Sequence, residues 1–211
     1  MKKFKLTSEF IVDISGVKLF RIKALIEFGN VKAGDLGGYI EKEENLSHMG
    51  NAWVSGNAQV SGDAQVFGDA RVSGNAWVSG DARVFGNARV FGNAQVFGDA
   101  RVFGNAWVSG DAWVFGNAQV FGNAWVSGDA WVSGNAQVSG DKDYAYAHGF
   151  GSCNRTTTFF RLKDGDVGVR CGCFYGTLAQ FRDNVCETHG ETKKAQEYLM
   201  LADLMDFRFK N

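Results

Sequence analysis

Between Asn51 and Asp141 the apolar and polar positions keep a fixed six-residue beat: Gly, Asn or Asp, Ala, a variable residue, Val, then Ser or Phe, fifteen times without an insertion. The valines fall at Val54, Val60, Val66 and every sixth position to Val138. Valine is β-branched and suits a pleated strand, and the residues on either side of it must point the opposite way. In Gln65-Val66-Phe67 the valine therefore faces inward, and the glutamine and phenylalanine face outward. Gly68-Asp69 supply the backbone of a corner, and Ala70 is small enough to sit inside it. Three such edges close a triangular turn of eighteen residues. The repeat thus predicts a solenoid of about five coils around a column of Val and Ala.

The beat stops at both ends, and a bare solenoid end exposes backbone edges and apolar core. Residues 1–50 are expected to form a cap: Phe10 to Ile14, a Ser15-Gly16 turn and Val17 to Ile26 read as a β-hairpin, and Gly34 to Gly38 as a sharp bend into the first coil. Residues 142–148 read as a short linker or last partial coil. Residues 149–211 read as a small α+β domain: strands over Thr156–Leu162 and Val167–Phe174 joined through Asp164-Gly165, then a helix entered by a capping box from Thr177 to Gln180. Gly190 suits the end of that helix, and a second should start near Thr192 with Ala195, Leu199, Ala202 and Met205 on its buried side. About sixty residues are marginal for independent folding, so this head should dock on the solenoid or self-associate.

A length of 211 residues allows one or two domains, and a net charge of −1 argues against a general nucleic-acid binder or a membrane-surface protein. Glu9 and Asp13 interrupt any apolar run behind Met1-Lys2-Lys3, so neither a signal peptide nor a membrane span is read and the cytoplasm is the expected location.

The hexapeptide beat resembles the left-handed parallel β-helix of bacterial hexapeptide-repeat proteins, many of them acyltransferases. The expected fold class is accordingly mainly β: a left-handed parallel β-helix with an N-terminal β cap and a small C-terminal α+β domain. The opening Lys-Leu-Thr, the stretch from Phe28 to Ser47, the Gly-Asn-Ala repeats and the stretch from Phe150 to Phe160 together resemble hexapeptide-repeat proteins of bacteriophages and prophages of Gram-positive gut bacteria. That resemblance carries no established activity. Its phage setting implies infection-related roles, as structural parts or as small proteins that blunt host defences.

Chemistry has few places to sit. An acyltransferase of the hexapeptide type needs a histidine, and the strict repeat has none; His48 falls at the entry, where the next valine upstream belongs, and His148 at the exit. Cys153, Cys171, Cys173 and Cys186 with His189 are a conceivable zinc set, but no Cys-X2-4-Cys knuckle occurs, and four reduced cysteines are the plainer reading. No metal or cofactor is expected.

Variation in the repeat is confined to its outer faces. An eighteen-residue fold stacks Phe67, Phe85, Phe103 and Phe121 in one column. A second column holds Trp53, Arg71, Arg89, Trp107 and Trp125, and a third holds Gln59, Trp77, Gln95, Trp113 and Trp131. Exposed aromatics at this density are interface candidates, either for a partner protein or for a homo-oligomer; ladders that merely stabilise the sheet are the alternative. Asp63, Asp81 and Asp99 should share one corner row. The stretch Gly149–Thr158 concentrates glycines, hydroxyls and an arginine. Asn154, Arg155, Thr156, Thr157 and Thr158, with Arg161 and Arg170 from the following hairpin, are candidate ligands for a phosphate or carboxylate. Arg161 shares a face with Thr157 and Phe159, where an aromatic base could stack. The function expected is non-catalytic binding of a host defence protein or a nucleotide-like signal, with a virion component or scaffold and a diverged acyltransferase as alternatives.

Overall fold

A computed structural model describes residues 1–152 and 154–210. The repeat forms fifteen two-residue strands, β4 to β18, from Trp53–Val54 to Gln137–Val138. They stack as three parallel ladders in which each residue pairs with the one eighteen positions on, as in Arg89↔Trp107 and Val90↔Val108. The three outward columns are those the eighteen-residue period predicts. Every repeat Val and Ala is buried, so the interior is a dry column of small apolar side chains. The corner glycines take positive φ, as at Gly86 with φ +70. A Cβ there would lie 3.0 Å from the nitrogen of Gly104 in the next coil, so both conformation and spacing demand glycine.

The cap consists of β1 (Phe4–Val12), β2 (Lys18–Ala24) and β3 (Leu36–Ile40). β1 and β2 are the predicted hairpin, lengthened on its N-terminal side, and β3 joins the third ladder in parallel with the strand at Gln59–Val60. Gly37 and Gly38 are therefore strand residues, not a bend. A Cβ on Gly37 would stand 2.4 Å from Ile22 Cγ1, and one on Gly38 2.6 Å from the Ala58 carbonyl. These glycines permit close layering of cap on coil. With Leu46 bridged to Val66, β3 brings the solenoid to about six turns.

That added turn is out of step with the repeat. Ile40 pairs with Val60 and Leu46 with Val66, twenty residues apart rather than eighteen. Leu46, not His48, thus fills the valine column, and the extra residues are taken up at the corner that follows. His48 is displaced to the outside, where its ring stacks on Phe4 at 4.3 Å and its Nδ1 accepts from the Lys3 N–H at 3.2 Å.

In each coil a backbone N–H donates to the carbonyl seventeen residues ahead, as Trp53 does to Ala70. The first coil is left with free carbonyls and the last with free N–H groups. The cap meets the carbonyls with donors. Tyr39 N–H serves Ala58, the buried Lys3 amine serves Ala52 at 2.8 Å, and the buried Asn45 amide serves Ala64 at 2.9 Å and Gly62 at 3.0 Å. The far end meets N–H groups with oxygen acceptors: Asp141 for Trp125, Thr158 Oγ1 for Trp131 and Asp143 for Ser139.

The head is a four-stranded antiparallel sheet, β19 (Tyr144–Phe150), β20 (Arg155–Arg161), β21 (Val167–Cys171) and β22 (Phe174–Thr177), followed by α1 (Leu178–His189) and α2 (Lys193–Phe209). Residues 142–148 are neither a linker nor a partial coil: from Tyr144 they belong to β19, whose register with β20 begins at Tyr144↔Phe160. Thr177 and Gln180 form the predicted capping box, Gly190 ends α1 and Thr192 caps α2. Alternation along β20 divides the head's contacts. Thr158 and Phe160 face the solenoid, where Phe160 completes its core, while Thr157 and Phe159 face the helices. The head therefore docks on the last coil.

Candidate functional site

Where the β20–β21 hairpin overhangs the third face of the last two coils, the surface encloses a cleft of about 640 Å³. The solenoid wall supplies Trp113 and Trp131, whose rings stack in parallel with centroids 5.0 Å apart. The corner preceding them in each coil adds Asp111 and Asp129. The head wall supplies His148, Arg155, Thr156 and Arg170, with Gly172 and Cys173 from the turn after β21.

Arg170 is the central group. It pairs in register with Thr158, which places it on the solenoid-facing side of the sheet. Its guanidinium lies over Phe115 at 5.5 Å and over Trp131 at 5.9 Å, within reach of both ring faces. Its Nε is buried without a hydrogen-bond partner, and among the described residues neither Arg170 nor Arg155 forms an ion pair. His148 Nδ1 and Thr156 Oγ1 share a hydrogen bond at 2.9 Å across the β19–β20 pair. Tyr144 fastens the hinge below the cleft by donating to the Trp125 carbonyl at 2.6 Å, and burial pushes its phenol pKa up.

Three of the seven predicted ligand residues, Arg155, Thr156 and Arg170, line this cleft, and the other four do not. Thr158 is buried and spent on the Trp131 N–H. Thr157 is buried on the helix side, its hydroxyl donating to Cys171 Sγ at 3.2 Å. Asn154 is an exposed turn residue with φ +46. Arg161 does share a face with Thr157 and Phe159, but helices cover that face and Phe159 is fully buried, so no base can stack there. Arg161 instead donates to the Phe209 carbonyl at 2.9 Å and lies over its ring, anchoring the end of α2. Gly151 of this stretch serves packing within the head. A Cβ on Gly151 would fall 2.0 Å from the Tyr198 ring, and the loop is held by Tyr198 and Glu197.

The aromatic columns divide as well. Trp113 and Trp131 enter the cleft, while Trp53 is buried under the cap against Phe28 and offers no interface. Trp77 is half-buried, and Trp107 and Trp125 are the exposed tryptophans. Phe67, Phe85, Phe103 and Phe121 stack ring on ring at 4.8, 4.9 and 5.1 Å, each half-covered by its neighbours. Asp63 pairs with Lys42 at 2.6 Å, which lowers the pKa of this exposed carboxyl through that hydrogen bond. Other corners carry amide ladders such as Asn57 to Asn75 to Asn93.

Among the described residues no three His, Cys, Asp or Glu side chains gather as a metal set. His189 stacks on Tyr198, Cys186 is exposed, and Cys153 lies outside the described residues. No helix among the described residues is long and apolar enough to cross a membrane.

Fold and site together define a capped parallel β-solenoid with a cleft of mixed polarity where the head meets the last coils. The repeat itself is similar to a known family: the profile of the YdcK beta solenoid repeat matches residues 64–80, 82–96, 94–110 and 118–134. The matches lie within the coils and leave the cap and head aside. No curated protein matches the chain.

Proposed function

We propose that this chain is a non-catalytic binding protein that takes a small anionic ligand with a flat ring, of the nucleotide class, into the cleft between head and solenoid. The observation that carries the reading is Arg170: a guanidinium that lies over two aromatic rings, with a buried Nε that nothing among the described residues satisfies. An unpaired buried donor of a charged group costs about 1–3 kcal/mol or more, and an incoming phosphate oxygen would remove that cost. Trp113 and Trp131 offer an apolar, aromatic wall for a ring. Asp111 and Asp129 can accept from ring amino groups or ribose hydroxyls, and Arg155 can share the anion with Arg170. In the phage setting that the resemblance implies, such uptake would sequester a host signal and so blunt a defence.

The test is a titration of the full chain with adenosine and guanosine 5′-monophosphates, followed by tryptophan emission and by heat. Quenching with saturable heat is expected, and Arg170→Gln should weaken binding at least about tenfold, the loss of one charge-assisted hydrogen bond. Unchanged emission and no heat with either nucleotide would remove the reading.

The Phe67–Phe121 ladder supports a second reading, a scaffold or virion component assembled through that face. Co-sedimentation with particles, abolished by Phe85→Ser and Phe103→Ser together, would favour it.

A further inference from the structure

A second groove, independent of the cleft, lies on the second face of the solenoid beside the N-terminal cap. It encloses about 400 Å³ between Asn30 of the cap and Ser55, Arg71, Ser73, Arg89 and Trp107 of the coils. Arg71 and Arg89 are direct in-register partners on neighbouring strands. Their backbones are therefore about 4.8 Å apart, and like charges placed opposite one another destabilise a ladder.

Among the described residues no ion pair involves Arg71 or Arg89. The carboxylate two residues before Arg71 is Asp69, whose Oδ1 already accepts from the Asn51 backbone and side chain at 3.0 and 2.8 Å; the same corner in the Arg89 coil is Asn87. The field of Arg71 is felt by the neighbouring buried Lys3. The Lys3 amine is pushed down to about 8, first by burial and then by the charge of Arg71.

Both arginines are also held in place. Arg89 lies over the Trp107 ring at 5.2 Å, and Phe91 meets the same ring edge-on at 5.9 Å. The terminal Nη2 of Arg71 packs against Gly29 of the cap, so closely that a Cβ there would come within 3.0 Å. Two adjacent guanidinium forks with serine hydroxyls and an amide beside them match the oxygens of a tetrahedral dianion better than any neutral ligand.

We propose that the groove formed by Arg71, Arg89, Ser55 and Ser73 is a binding site for a phosphate group, either as the free dianion or as the terminal group of a phosphate ester. It uses none of the residues of the cleft, and it stands or falls separately from the reading of that cleft.

The experiment is calorimetric titration of the full chain with inorganic phosphate and, in a separate arm, with adenosine 5′-monophosphate. Four proteins are compared: wild type, Arg71→Gln/Arg89→Gln, Arg89→Lys and Arg170→Gln, each checked for an unchanged circular dichroism spectrum. Phosphate should bind the wild type and Arg170→Gln alike, lose at least about tenfold in affinity in the double variant, and lose less in Arg89→Lys, which keeps the charge but not the fork. The two arms tell the sources apart: binding of phosphate alone identifies the free ion, and binding of both with the same loss identifies the ester as well. No phosphate heat in the wild type, or equal heat in the double variant, overturns the proposal. So does a nucleotide signal that falls in Arg170→Gln but not in the double variant, when phosphate itself does not bind.

Discussion

The two ends of the solenoid are built from the same repeat and face opposite problems. Every coil hands its N–H groups forward, so the first coil is left with carbonyls and the last with N–H groups. The N-terminal end answers with donors, the Lys3 amine and the Asn45 amide, both buried among apolar side chains and both serving two carbonyls. The C-terminal end answers with oxygens, from Asp141 and Asp143 in the turn before β19 and from Thr158 of the docked head. The first solution seals the end tightly. The second leaves an overhang of the β20–β21 hairpin above the third face, and the cleft lies beneath it. Capping at the C-terminal end of a regular scaffold thus creates an irregular surface that the coils alone do not have.

The largest effect that would break this contrast comes from the joint itself. Phe160→Ala removes the ring by which the head completes the solenoid core, and should cost about 3–5 kcal/mol, read as a lowered denaturant midpoint with loss of the cleft's ligand response. Asn45→Ala follows, since it orphans the Gly62 and Ala64 carbonyls at once, at about 1–3 kcal/mol each. Thr158→Val keeps shape and loses a single acceptor for the Trp131 N–H. A cost of about 1–3 kcal/mol is expected, smaller than for Asn45→Ala, in thermal unfolding. If the two substitutions proved equal, the N-terminal end would not be the more tightly sealed.

The smallest effect is a pH dependence confined to the N-terminal end. Lys3 has its pKa lowered from 10.5 to about 8 in the fold. Between those values the unfolded chain holds the proton and the folded chain does not, so stability should rise with pH across this window. The lone pair and two remaining N–H groups leave its carbonyl bonds possible in the neutral form. The phenols of Tyr144 and Tyr198, both raised by burial, act in the opposite sense only above about pH 10. Melting temperature measured from pH 8 to 10 should therefore climb in the wild type and stay flatter in Lys3→Met.

What the sequence disclosed follows the same division. Inside the coils one period determines everything: Val and Ala inward, glycine at positive φ, Trp113 over Trp131, and Arg71 beside Arg89 were all legible by counting eighteen. Asp111 and Asp129 obey that count too and were open to the same argument, being two residues ahead of Trp113 and Trp131. At the ends counting fails. The two-residue slip that puts Leu46 in the valine column and expels His48 is taken up in the corner between Leu46 and Ala52, where the six-residue beat does not reach. Which of the Gly149–Arg170 side chains reach the cleft depends on strand alternation within a docked head. That alternation sends Arg170 toward the solenoid and Arg161 toward α2, although both lie on neighbouring strands of one hairpin. A motif read as a cluster in one dimension is divided between two faces in three.

Occupancy of the cleft is tested most directly by native mass spectrometry of the full chain purified from the cells that produce it, beside Arg170→Gln prepared identically. The account predicts a small anionic adduct, absorbing near the nucleobase band after release, on the wild type and absent from Arg170→Gln, with both proteins equally folded. A wild-type protein without an adduct that also gives no response to added nucleotide, or an adduct retained in full by Arg170→Gln, would contradict it.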